Sequence, residues 1–175
     1  MIRAALVWVA VGVGACAPRT AEVPRSDQTV QTDTARAGAD SASVHAVLLE
    51  RTPCFGRCPV YTIAVSPSGK VTFHGRANVK RLGTISAQIS RERVEALLDE
   101  LDRAGYFTFA DKYVPAEPVC GNYATDLPSV ISAVAHRGRS KTIVHDYGCG
   151  SAPAALVVLE KRIDEVLGSD RWTGR

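Results

Sequence analysis

The chain has 175 residues, enough for one domain with a real core and too few for two comfortable ones. Hydrophobic residues make up 46% and charged residues 22%, an ordinary globular composition. The formal net charge of +3 falls short of the strong basic stripe of a dedicated nucleic-acid binder, so nucleic acid is not an expected partner.

The N-terminus reads as an export signal. Met1-Ile2-Arg3 is a short basic n-region, and Ala4 to Val13 is an apolar run of ten residues. Spanning a bilayer as a helix takes roughly 20 residues, so this run has the length of a signal-peptide h-region instead. Val13-Gly14-Ala15-Cys16 then resembles a bacterial lipobox. The resemblance implies residues 1–15 as a cleaved signal peptide and a diacylglycerol thioether on Cys16. Acyl chains there would hold the protein to a membrane on the periplasmic side of the cell envelope. The residue after Cys16 is Ala17 and not Asp, which under enteric-type sorting points to the outer membrane. The other reading is an ordinary signal peptide cut nearby, with Cys16 incidental.

Residues 16–43 read as the lipidated N-terminus and a tether. From Ala17 on they are rich in Ala, Thr, Ser, Asp, Pro and Gly and have no apolar periodicity. A flexible segment of this length has an end-to-end distance on the order of 30 Å. The globular domain is expected over 44–175.

Within it, Val44 to Leu49 is apolar on both faces and predicts a central strand. Val60 to Val65 predicts a second, Pro67-Ser68-Gly69 a turn, and Val71 to His74 the returning strand of a hairpin. Val79 to Ile89 predicts one more strand, bent near Gly83. Ser90 is a good N-cap for a helix whose apolar stripe is Val94, Leu97, Leu98 and Leu101, closed by Gly105. Tyr106, Phe107, Phe109 and Tyr113 form an aromatic cluster, read as a lid on the core over a ligand-stacking platform. Two strands follow, Val130 to His136 and Thr142 to Tyr147, joined across Arg137-Gly138-Arg139-Ser140. A second helix is predicted after Ser151 and Pro153, with Ser151 as N-cap. Its expected buried stripe is Ala155, Val158, Leu159, Ile163, Val166 and Leu167, with Gly168 as the stop. The order is roughly ββββα-ββα. It predicts an α+β domain with a mainly antiparallel sheet and two helices packed on one face.

Four cysteines remain besides Cys16: Cys54, Cys58, Cys120 and Cys149. An even set in an exported protein reads as disulfides, and four thiols allow three pairings. Proximity in sequence favours Cys54–Cys58. Cys120–Cys149 would then pin a Pro-rich loop to the sheet. Two sharper readings compete. A redox pair is conceivable, with Arg57 beside the thiols, but Cys54-Phe55-Gly56-Arg57-Cys58 is not the C-x-x-C of a helix N-terminus. A four-cysteine zinc site would want two close pairs, and Cys120 and Cys149 are far apart in sequence. No metal or cofactor is expected.

The segment Leu49-Glu50-Arg51-Thr52-Pro53-Cys54-Phe55-Gly56-Arg57-Cys58-Pro59-Val60-Tyr61 resembles the signature of an uncharacterised bacterial family, domain of unknown function 6438. Gly69-x-Val71-x-Phe73-x-Gly75, Thr125-Asp126-x-Pro128 and Lys141 leading into Tyr147-Gly148 follow in the same order. The resemblance covers about Val44 to Gly168. It implies a single exported or lipid-anchored domain, and it transfers no activity, ligand or catalytic residue.

Other constellations are thin. There is no G-x-S-x-G elbow and no H-E-x-x-H pair. His145 and Asp146 are adjacent in a predicted strand and point to opposite faces, so they form no dyad. Asp126 reaching His145 across the fold would be the core of an unrecognised hydrolase; a turn role for Asp126 is the plainer reading. His136-Arg137-Gly138-Arg139-Ser140-Lys141 is the densest basic run. It reads as a solvated hairpin tip, or as an anion contact through Arg137, Arg139 and Lys141. His45 and His74 read as structural or surface residues. The expectation is therefore a lipid-anchored, non-enzymatic binding or accessory module for a protein or an anionic envelope component. The alternatives are redox chemistry at Cys54/Cys58 or hydrolysis around Asp126/His145.

Overall fold

The computed structural model describes residues 44–174. The signal peptide, Cys16 and the tether expected over 1–43 lie outside the described residues. Among the described residues no helix is long and apolar enough to cross a membrane.

The first four strands form an antiparallel meander: β1 (Val47–Arg51), β2 (Val60–Val65), β3 (Lys70–Ala77) and β4 (Gly83–Gln88). Helix α1 (Arg91–Arg103) and a loop follow. The loop contains the two-residue strand β5 (Lys112–Tyr113). The hairpin β6 (Ser129–His136) and β7 (Arg139–Asp146) then precedes α2 (Ala154–Leu167) and the short α3 (Asp170–Thr173). The sheet order is β4-β3-β2-β1-β6-β7-β5. The domain is α+β, and its sheet is antiparallel except where β5 runs parallel to β7.

β1 is the central strand that its two-sided apolarity predicts, although it begins three residues later than expected. It pairs with β2 on one side and β6 on the other. Its Val47 and Leu49 are fully buried with Ile63, Phe73, Val130 and Ile143. Helices α1 and α2 cover that face. Ser90 caps α1, its Oγ accepting the Arg93 N–H at 3.2 Å. Val94, Leu97, Leu98 and Leu101 are buried as the spacing predicts. The aromatic cluster belongs to the core, with Tyr106 and Tyr113 buried and Phe107 and Phe109 packed against it. The opposite face of the sheet has no covering layer among the described residues. Ser86, Thr72, Ala64, Leu48, Ala133 and Thr142 line up across it from β4 to β7.

Several expectations are corrected. Val79 to Leu82 is not strand; Lys80 and Arg81 donate their backbone N–H groups to Thr173 and Trp172 of α3. The β6–β7 turn is only Arg137-Gly138. Both residues have positive φ (49° and 73°), the two-residue geometry that matches the twist of a hairpin, so Arg139 and Ser140 are already strand. β5 and α3 are additions that the sequence pattern did not reveal. Ser151 does not cap α2. Its N–H donates to the Cys120 carbonyl, and Pro153 occupies the cap position with no side-chain bond. The buried stripe of α2 is Leu156, Leu159, Glu160, Ile163, Val166 and Leu167, and Val158 is 62% exposed. A buried glutamate, not an apolar residue, sets the rotation of this helix.

Candidate functional site

Glu160 and Asp164 lie four residues apart on one face of α2, so their carboxylates stack along the sheet. The C-terminal end of β1 delivers Arg51 to them. Its Nε donates to Asp164 Oδ2 at 2.8 Å, and its Nη2 lies 2.6 Å from the same oxygen. Tyr61, directly across from Arg51 on β2, donates to Asp164 Oδ1 at 2.6 Å and accepts from Arg51 Nε at 3.1 Å. Tyr147, just past β7, accepts from Arg51 Nη1 at 3.2 Å and donates to Glu160 Oε2 at 3.0 Å. His145 Nδ1 meets Glu160 Oε1 at 2.9 Å, with both side chains almost wholly buried. Each tyrosine hydroxyl thus bridges the guanidinium to a carboxylate. Six side chains from four segments form one connected polar network.

The electrostatics follow from that arrangement. Burial would lower the Arg51 pKa, but the Asp164 carboxylate and the two tyrosines outweigh it and hold the guanidinium charged. Burial raises Tyr61 well above the ordinary phenol range, and Asp164 beside it adds to the rise. Burial pushes Tyr147 up to about 12, with Glu160 as the second cause. Both hydroxyls therefore keep their protons and their donor roles at neutral pH.

The network forms the buried end of a cavity of about 320 Å³. This is the low end of the size range of small-ligand sites. Cys58, Pro59 and Pro128 supply apolar wall, while Lys161 and Asp170 stand exposed at its mouth. Neither of these two makes an ion pair among the described residues. A guanidinium carries five N–H donors, and the side-chain acceptors around Arg51 engage Nε, one N–H of Nη1 and one of Nη2. Two donors remain. The arrangement can hold and orient a polar ligand. Both tyrosine hydroxyls donate to carboxylates, and the nearby Cys58 is in a disulfide.

The four cysteines stand as Cys54–Cys58 and Cys120–Cys149, with Cα atoms 5.7 and 4.6 Å apart. The second is buried. The first is partly exposed and closes a tight loop whose Phe55 is 88% exposed. Among the described residues no group of three or more His, Cys, Asp or Glu side chains could hold a metal ion.

The proposed hydrolase pair is not brought together. His145 faces Glu160 under α2. Asp126 is exposed in a turn at φ 71°, its carbonyl accepting from Phe55 N and its carboxylate from Thr125 Oγ1. Asp146 points to the face opposite His145, as alternation predicts, and accepts the Gly148 N–H at 2.8 Å. The basic hairpin is matched by acids. Arg137 pairs with Asp99, Arg139 with Asp102, and Lys141 with Asp111. Asp99 also takes His136 Nε2 at 3.0 Å. The three cations named as an anion contact are thus each spent on an aspartate. Their partners came from α1 and the loop after it, which charge counting along the hairpin did not include.

Sequence reasoning passed over Arg51, Tyr61, Tyr147, Glu160 and Asp164. One signal was present: Glu160 falls in step with Leu156 and Ile163 in the α2 stripe, and a carboxylate in an apolar stripe needs a buried donor. The segment that carries the family-like signature supplies Arg51, Cys58, Pro59 and Tyr61, and its last match supplies Tyr147. The family model described as "Domain of unknown function (DUF6438)" matches residues 45–167. No curated protein matches the chain.

Proposed function

The chain belongs to the DUF6438 family, a membership that brings no activity with it, and from the site itself we propose a lipid-anchored, non-enzymatic binding module of the cell envelope. Its ligand site is the Arg51–Tyr61–Tyr147–Asp164 cavity. The observation that carries the reading is a solvent-open cavity ending on a network whose members are all hydrogen-bonded. Such a floor is pre-organised, so little is lost in ordering it when a ligand arrives. The spare Arg51 donors and the unpaired Lys161 and Asp170 suit a small ligand bearing charged groups. The anchor on Cys16 rests on the lipobox-like Val13-Gly14-Ala15-Cys16 and is part of the same proposal.

Amide-shift mapping of the ¹⁵N-labelled protein tests the site, with free amino acids, dicarboxylates and sugar phosphates as probes. Shifts confined to Arg51, Tyr61, Tyr147 and their neighbours, and weakened in Lys161→Ala or Asp170→Ala, are expected. Shifts elsewhere only would sink the cavity as the site. For the anchor, metabolic labelling with an alkyne fatty acid should tag the wild type and not Cys16→Ser.

A second reading has one observation in its favour. The Cys54–Cys58 disulfide is partly exposed and Cys58 lines the cavity, which suits thiol–disulfide exchange with a dithiol partner. The pair is followed by Pro59 and a strand, not by the helix N-terminus that stabilises a reactive thiolate. Titration in glutathione buffers decides it. A potential near those of catalytic oxidoreductases supports exchange, and one below about −300 mV marks a structural bridge.

A further inference from the structure

We propose that the free edge of β4 is a docking site for an extended segment of a partner protein, one with an uncharged core and acidic flanks. β4 ends the sheet, with β3 as its only neighbour among the described residues. The backbone bond from Ile89 N to Gly69 O fixes the bonding phase of this antiparallel pair. Hydrogen-bonded positions alternate, so Ile85 and Ala87 bond inward to β3. The N–H and C=O groups of Thr84, Ser86 and Gln88 therefore point away from the sheet. No other backbone group among the described residues pairs with them.

Edge strands are ordinarily protected by an inward charge, a proline, a bulge or a covering element. Residues 83–90, Gly-Thr-Ile-Ser-Ala-Gln-Ile-Ser, contain neither a charge nor a proline. The β3–β4 register runs without a shift, so there is no bulge. Here the opposite end of the sheet differs, because β5 is only two residues long.

The flanks say what kind of strand fits. Lys80 and Arg81 precede β4, Arg91 and Arg93 follow it, and Lys70 begins the neighbouring β3 opposite Gln88. All five are exposed, and none makes an ion pair among the described residues. Elsewhere Arg51, Arg76, Arg137, Arg139, Lys141 and Arg162 are each matched by a carboxylate, whereas Arg103, Lys112, Lys161 and Arg171 make no ion pair among the described residues and lie singly rather than in a group about one strand. Glu92, between Arg91 and Arg93 in the first turn of α1, is held by backbone and Ser90 hydrogen bonds, which together with the Arg91 charge lower its pKa, and Glu165 and Asp170 share a surface groove with Gln88 and Arg93. A second copy of this chain fits poorly. Antiparallel pairing of two β4 strands would set Arg91 and Arg93 against Lys80 and Arg81, and parallel pairing would set like on like. A segment with acidic residues at both ends meets positive charge at both ends, and its backbone completes the ladder.

The test uses the full-length ¹⁵N-labelled protein and a synthetic peptide whose alternating threonine–valine core is flanked at each end by paired aspartates. Amide exchange at Thr84, Ser86 and Gln88 is expected to slow about tenfold or more on saturation, while Ile85 and Ala87 are already protected. Binding should weaken several-fold as salt rises. A peptide with lysine flanks should not bind. Ser86→Pro removes an outward N–H without breaking the β3 ladder, so it should keep the fold and lose the protection. Equal binding of the lysine-flanked peptide would overturn the proposal. So would protection of the edge before any peptide is added, whether from the chain's own N-terminal residues or from self-association. Shifts at β4 with anionic phospholipid vesicles but not with the acidic peptide would overturn it in favour of a membrane surface.

Discussion

Asp164 is the residue on which the buried network turns, because both of its oxygens accept from partners that have no other carboxylate in reach. Asp164→Ala leaves the Arg51 guanidinium facing only hydroxyls, and breaking a largely buried pair in this way costs about 3 kcal/mol. Asp164→Asn keeps one acceptor and should cost about half as much. Urea midpoints with an unchanged m-value measure both. The tyrosines give a pH dependence with a definite sign. Tyr147 is pushed up to about 12 by burial and by Glu160, whereas an unfolded tyrosine ionises near 10. Between those values the unfolded chain binds fewer protons than the folded one. Stability is therefore intact below about pH 10 and is lost as pH rises through the folded pKa. Tyr61 and Tyr106, raised further by burial, extend the loss upward. Urea midpoints followed upward from about pH 9 should fall less steeply in Tyr147→Phe. At this scale little of the site was legible. Arg51 and Tyr61 are ordinary strand residues until β1 and β2 set them side by side, and Asp164 reads as surface until α2 is rotated inward.

Individual elements were more legible wherever one local signal settled them. Helix α1 has a cap, a stripe and a glycine stop that agree, and it formed as the spacing predicts. In α2 the same rules placed Leu159, Ile163, Val166 and Leu167 inside as observed and missed in the first turns, where Leu156 and Glu160 are buried in place of Ala155 and Val158, because the pattern treats Glu160 as solvent-facing while His145 and Tyr147 draw it inside. The starts of β4 and β7 moved because α3 takes the backbone N–H groups of Lys80 and Arg81 and the hairpin turn needs only Arg137-Gly138, and hydropathy records neither. Both disulfides follow the pairing that proximity and loop-pinning favoured. They should contribute unequally, since a longer closed loop restrains the unfolded chain more. Removing Cys120–Cys149 as a double alanine variant should cost about 3.6 kcal/mol, and removing Cys54–Cys58 about 2 kcal/mol. Denaturant titration of the two variants checks the ratio. With graded reductant, the partly exposed Cys54–Cys58 bridge should open before the buried one.

At the scale of the whole molecule, the α+β class and the antiparallel sheet were legible from strand and helix order alone. The strand neighbours were not, because nothing in a single sequence says that β1 rather than β4 would receive β6. That placement governs how the chain can assemble. Arg51 meets Tyr61 across a separation of 10 residues. Thr52 reaches Ser129 across 77. Closing the longer loop costs about 1.8 kcal/mol more entropy, so the β1–β4 meander should zip first and the β6–β7 hairpin should dock afterwards. Until it docks, the strand destined for the middle of the sheet is itself an edge, apolar on both faces. A chain entering a compartment N-terminus first is then most prone to aggregate when its leading half has emerged and residues 129–136 have not. The late hairpin is the seal on that interval, and how quickly it arrives sets how long the growing chain needs protection from its neighbours.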